Sequence, residues 1–276
     1  MAIRTVSLAL IAQEERVSEA AVNYALALCE QTKAHLCCRI IPPLLDLPTA
    51  RILPLAHALV DQVNAERMAA AEKAREHIET AARLSGVPTE TRILHMPYLE
   101  ARDAALDAAR ASDVVVLEQA AGALSEETGL IEGVLFGCGR PTIVVPTTWE
   151  KPAAFDRIVI AWDGGARAAR AVGDALPFLE NAGEVEVVCV TSSDERPLEG
   201  SDLARHLSRH CRNLRLTDLP IAHGDAGRVL RDHLAATHPD LLVMGAFAHS
   251  RLLQFVLGGV TSDMLAEATL PVFYSY

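Results

Sequence analysis

Short runs of Val, Ile and Leu alternate along this chain with longer stretches in which apolar residues recur every three or four positions. That rhythm predicts parallel strands covered by helices. The strand candidates of the first half are Arg4–Ile11, His35–Ile41, Glu90–Leu94, Asp113–Glu118 and Thr142–Val145. Those of the second half are Arg157–Trp162, Glu184–Thr191, Leu214–Leu219, Asp240–Met244 and Val272–Tyr274. The same five-strand rhythm occurs twice, and residues repeat with it. Ser112–Gln119 (SDVVVLEQ) parallels Pro239–Ala246 (PDLLVMGA), and Arg140–Pro146 (RPTIVVP) parallels Leu270–Tyr276 (LPVFYSY). A spacing of about 130 residues indicates a duplicated domain, not a solenoid. The aperiodic stretch 147–155, with Trp149, Lys151 and Pro152, reads as a linker. Domains are therefore expected at 1–147 and 154–276.

The halves differ after their second strands. In the first, a long helical pattern runs from about His57 to Ser85, and its part Asp61–Leu84 is rich in alanine and charge. This composition suits a solvated cover helix with (i, i+4) ion pairs. In the second, a shorter helix is expected, about Gly200–Cys211, with Asp202, His206 and His210 on one face. Such spacing can hold a metal, but no second cluster completes it, so a solvated face is expected and no metal site.

Composition narrows the function classes. The 276 residues are 50% hydrophobic but only 4% aromatic, which points to a core of small aliphatic side chains. The net charge is −11, with −7 over residues 1–150 and −4 over 151–276. Neither half carries the basic stripe by which a nucleic-acid binder neutralises phosphates. The six cysteines (29, 37, 38, 138, 189 and 211) show no CxxC spacing, which suits buried, reduced thiols. The apolar run Val6–Ala12 is too short for a signal peptide or a membrane span. A soluble cytoplasmic protein is expected.

The most informative stretch is Leu241–Val272 (LLVMGAFAHSRLLQFVLGGVTSDMLAEATLPV). A buried strand ends at Gly245, a lean loop follows, and a helix with Gly258 and Gly259 near its start leads to the last strand. In open parallel sheets, ligands sit at the carboxyl ends of strands, where helix N-termini offer free N–H groups to anions. Small residues here (Ala246, Ala248, Gly258, Gly259) let a ligand approach the backbone, and Ser250, Thr261 and Ser262 offer hydroxyls. His249 is a further candidate phosphate contact. The alternative reading is that the glycines only permit tight turns and close helix–sheet packing.

This stretch resembles the universal stress protein family, in its tandem two-domain form. Nucleotide-binding members carry Gly-x2-Gly-x9-Gly-(Ser/Thr) after strand four; this chain has Gly245-x2-Ala248-x9-Gly258-Gly259. Ala248 and Gly259 depart from that pattern, with Thr261 and Ser262 close behind. Asp163, in Val159–Leu179 (VIAWDGGARAARAVGDALPFL), matches the acid that lies beside the nucleoside. Val190 falls where members contact adenine through backbone. The resemblance implies two flavodoxin-like (Rossmann-like) α/β domains. Each would be a five-stranded parallel sheet of order 3-2-1-4-5 with helices on both faces. It also implies pairing of domains through their last strands, so Thr142–Val145 and Val272–Tyr274 would meet. The last residue, Tyr276, directly follows its strand, which suits an edge covered by a partner. A homodimer and an unknown protein partner are further expectations of this kind; nucleic acid and membrane are not expected partners.

The first half does not read as a second copy of the site. With Pro141 set against Pro271, Gly129 falls opposite Gly259 and Thr128 opposite Gly258, while Glu118 falls opposite Gly245. A carboxylate there repels phosphate. Gln13-Glu14-Glu15 is set where the second half has Trp162-Asp163-Gly164. The expectation is one adenine-nucleotide site, for ATP with magnesium, in the second domain only. It would make the protein a stress-response regulatory or binding module. The alternatives are an interaction protein with both pockets degenerate and a weak nucleotide hydrolase. No P-loop, no Gly-x-Ser-x-Gly elbow and no nucleophile with its base is evident, so no enzyme is expected.

Overall fold

A computed structural model describes residues 2–12, 19–46, 54–120, 122, 125–191, 200–221, 225–246 and 259–276. The ten expected strands are present in it with ends shifted by at most one residue. In chain order the elements are β1 (Thr5–Ile11), α1 (Glu19–Thr32), β2 (His35–Ile41), α2 (Pro54–Leu84), β3 (Thr89–Ile93), α3 (Tyr98–Ala109), β4 (Val114–Glu118), α4 (Glu126–Gly137) and β5 (Thr142–Val145). They continue as β6 (Arg157–Ala161), α5 (Ala166–Leu179), β7 (Glu184–Thr191), α6 (Ser201–Leu207), β8 (Leu214–Pro220), α7 (Ala226–Thr237), β9 (Leu241–Gly245), α8 (Val260–Glu267) and β10 (Val272–Ser275).

The chain forms two compact units, Ile3–Arg140 and one built on Pro141–Tyr276. In the first, parallel pairing gives the order β3-β2-β1-β4. In the second, β8-β7-β6-β9-β10 are parallel, which is the order 3-2-1-4-5 within that half. The second unit also takes in β5, antiparallel on β10 with Val144 opposite Val272 and Thr142 opposite Tyr274. The two strands expected to meet therefore do so, and the structural division falls at Pro141, ahead of the linker.

The duplication is written in backbone hydrogen bonds. Asp113, just before β4, accepts the N–H groups of Arg4 and Thr5 at 2.7 and 2.9 Å. Asp240, just before β9, accepts those of Asp156 and Arg157 at 3.1 and 2.9 Å. Thr5 and Arg157 thus hold equivalent places, and counting from them sets Ile11 opposite Asp163. This corrects the sequence placement of Gln13-Glu14-Glu15 there: β1 runs two residues further along its partner than β6 does. Residues 13–15 lie outside the described residues.

Strand side chains alternate between two helix layers. On β7 and β8, Val187, Cys189 and Leu216 surround Gly200 beside α6, whereas Glu186 and Thr217 turn to His233 of α7. The scarce aromatics concentrate in the second unit, where Phe178 touches Phe155 and Phe273 at ring separations of 4.5 and 5.9 Å. Helix α2 buries Ala70, Ala71, Ala74, Ile78 and Ala82, with Glu72–Arg75 and His57–Asp61 ion pairs on its wet side. All six cysteines are free. Burial pushes the Cys29 and Cys38 thiols up to about 12, which keeps them protonated and unreactive. Among the described residues no helix is long and apolar enough to cross a membrane.

Candidate functional site

The carboxyl ends of β6 and β9 meet the first turn of α5, and three of the expected residues belong here or nearby. After β6, the chain must reverse into α5. Gly164 takes φ +73°, a left-handed conformation that glycine adopts freely. The exposed Asp163 carboxylate accepts the Gly165 N–H at 2.8 Å, an Asx turn that feeds Gly165 into the helix cap. Asp163 is thus both the turn former and an acid presented at the sheet edge. Val190 is half-buried in β7, opposite Leu219 of β8.

Gly245, the last residue of β9, has a clear packing reason to be glycine. A methyl group on it would lie 2.7 Å from Ala168 N and from Arg167 C. The α5 backbone therefore passes directly over this position, and only a residue without a side chain lets it. The next residue, Ala246, donates its N–H to Ser275 O at 2.8 Å, which continues the edge onto β10.

Helix α8 begins beyond Gly259, whose φ of −178° is ordinary extended backbone open to any residue. Its N-cap, Gly259, makes no side-chain cap hydrogen bond, so among the described residues its first N–H groups have no cap of the usual Ser, Thr, Asn or Asp type. Thr261 is buried in its first turn and Ser262 half-buried. Asp263 follows, with Arg231 of α7 at 3.6 Å and that same arginine 3.2 Å from Glu267. Ala248, His249 and Gly258 lie outside the described residues.

The corresponding corner of the first unit is built differently. Helix α4 supplies its own cap: the Ser125 hydroxyl accepts the Thr128 N–H at 3.3 Å, and Glu126 and Glu127 occupy its first turn. The helix N-terminus thus already carries the chain's own anions, which complement its dipole. Glu118 and Glu127 border a small pocket whose walls include Leu10, Ile11, Leu117 and Leu130. A phosphate entering it would meet two carboxylates.

One polar group was not legible as a site. Glu186, buried in β7, accepts the Thr217 hydroxyl at 2.6 Å and pairs with His233 Nε2 at 3.1 Å, with Arg215 Nε 3.6 Å away. Burial works to raise its carboxyl, but the Thr217 and His233 hydrogen bonds and the charges of His233 and Arg215 outweigh it and hold the group below the ordinary carboxylate range. Its alternation with Glu184 in the sequence gives no sign of this. The expected histidine face on α6 is kept by a shorter helix: α6 ends at Leu207, the His206 and His210 rings lie 5.0 Å apart, and His210 also meets Glu180 at 3.2 Å. Among the described residues no cluster of three or more His, Cys, Asp or Glu could hold a metal.

Residues 154–274 match the model of the universal stress protein family. Among solved structures, the chain is similar to a universal stress protein from Archaeoglobus fulgidus, at 14% identity and TM-score 0.72, covering 98% of this chain and 95% of that one. It is also similar to a functionally unknown protein from Pseudomonas aeruginosa PAO1, at 13% identity and TM-score 0.57, covering 99% and 92%. A third likeness is to the cytoplasmic domain of a prokaryotic cation chloride cotransporter, at 10% identity and TM-score 0.52, covering 98% and 95%. At these identities the likeness is one of fold. No curated protein matches the chain.

Proposed function

From the match of residues 154–274 to the universal stress protein family, we propose that the second half of the chain is a regulatory module that binds an adenine nucleotide. The ligand is ATP with magnesium. The nucleoside lies by Asp163 and Val190. The phosphates lie between Gly245 and the start of α8, near Gly259, Thr261 and Ser262, with Ala248, His249 and Gly258, outside the described residues, as further contacts. The observation that carries this reading is the contrast between α8, whose N-cap Gly259 makes no side-chain cap bond and whose one first-turn acid, Asp263, is paired with Arg231, and α4, which Ser125 caps and two glutamates precharge. An anion completes the first helix end and is repelled by the second. The first half is accordingly assigned no nucleotide. The protein acts in the cytoplasm as a binding module without turnover.

The test is thermal unfolding of the full chain with and without ATP and magnesium. Ligand at 100 times its dissociation constant stabilises by about 2.7 kcal/mol. A shift that Asp163→Ala abolishes supports the site as assigned; no shift at millimolar ATP refutes it. Conversion of ATP to ADP by the purified protein would instead make it a hydrolase.

A second reading, an interaction module with both pockets degenerate, draws on Gly245. The passage of α5 over that residue explains the glycine without any ligand. Folds of this class host unrelated functions. Indifference to ATP together with a self-associated state in solution would favour it.

A further inference from the structure

Resting on the nucleotide reading, we infer that Arg167 is a phosphate-binding residue of the second half, held in position by Tyr276. Arg167 lies in the first turn of α5, and its backbone is the closest neighbour of the empty side-chain position of Gly245. Its guanidinium carbon sits 4.3 Å from the centroid of the Tyr276 ring. Tyr276 follows Ser275, which pairs with Gly245 in the β9·β10 register and accepts the Ala246 N–H. The cation is therefore stationed over the carboxyl edge of β9 and β10, the edge from which the chain departs toward α8.

The chemistry of that edge calls for such a group. Asp163 stands exposed past the end of β6, accepting the Gly165 N–H that opens α5. Gly259, where a hydroxyl would hold phosphate, offers no side chain. A guanidinium carries five N–H donors in a planar fork that matches phosphate oxygens. Contact with a ring face through its quadrupole restrains the cation and lowers the ordering cost of meeting a ligand. Arg167 thus supplies, from the α5 side, the phosphate contact that the departed motif position lacks.

The experiment measures binding of ATP, ADP and adenosine to the full chain by titration calorimetry, for the wild type, Arg167→Met and Arg167→Lys. Loss of a charge-assisted phosphate contact is expected to weaken ATP about tenfold or more. ADP should weaken in the same sense, adenosine should stay within about twofold, and Arg167→Lys should fall between wild type and Arg167→Met, because lysine keeps the charge without the fork. Equal weakening of adenosine and ATP, or unchanged ATP binding in Arg167→Met, overturns the assignment while leaving the nucleotide site standing. Wild-type indifference to all three ligands overturns both. Should Arg167→Met fail to fold, Tyr276→Leu replaces it: retained adenosine binding with weaker ATP supports the role, and unchanged ATP binding refutes it.

Discussion

Replacing Gly245 with alanine separates packing from ligand contact at the residue on which the two readings of the site diverge. The added methyl would stand 2.7 Å from Ala168 N and Arg167 C and 2.9 Å from Arg167 Cβ. Ordinary carbon contacts lie at 3.5–4.0 Å, so the first turn of α5 must retreat by roughly 1 Å. The atoms in the way belong mainly to backbone, and no side-chain rotation relieves the overlap. Overpacking of this kind costs about 1–3 kcal/mol, which lowers the Tm of a domain this size by about 3–10 °C. Scanning calorimetry of the full chain reads the loss directly, and urea unfolding with an unchanged m-value identifies it as a change in stability alone. A Tm within about 1 °C of wild type, from ligand-free protein, would refute the reasoning. If that stable variant also lost ATP, the glycine would belong to the ligand and not to α5.

Two further outcomes follow from the geometry. Gly259→Ser should fold normally, because φ −178° suits any residue, and should raise stability by a few tenths of a kcal/mol through a new N-cap; a loss of more than about 1 kcal/mol in urea unfolding would contradict that backbone. Glu186, facing Thr217 and Arg215 of β8 and His233 of α7, is held below its unfolded value. Its stabilisation is whole above an ordinary glutamate pKa of about 4.3 and is lost as pH falls through the lower folded value. Stability measured by urea unfolding from pH 6 to pH 3 should therefore decline less steeply in Glu186→Gln than in wild type, and parallel declines would remove Glu186 from the acid response.

The strands were legible in the sequence because each is a short apolar run read by its neighbours in the sheet, and a strand such as Glu184–Thr191 carries that signal locally. Register was less so. The equivalence of Ile11 with Asp163 depends on Asp113 and Asp240, whose hydrogen-bond partners lie 83 to 109 residues away in the chain, and no local pattern reports such contacts. Glu186 was hidden for the same reason. Its partners come from β8 and α7, and a glutamate that alternates with valine reads as a wet strand face until those elements are placed. Helix α6 was drawn too long since the polar spacing of Asp202, His206 and His210 suits a helix, while His210 is claimed by Glu180 from another element. Of the candidate site, Asp163, Val190, Gly245, Gly259, Thr261 and Ser262 could be placed. The role of Gly245 in helix packing was weighed from sequence only as a generality; the path of α5 made it specific.

The stretch that carries the family likeness, 154–274, and the stretch that folds as a unit, Pro141–Tyr276, differ by one strand. That strand, β5, repeats in sequence with β10 and lies antiparallel on it, Val144 opposite Val272. A gene fragment cut at the linker would release a β10 whose outer N–H and C=O groups face solvent, the condition under which an edge seeks another chain. The second half's edge is thus closed by residues that lie before the linker, and a cut at the linker exposes it.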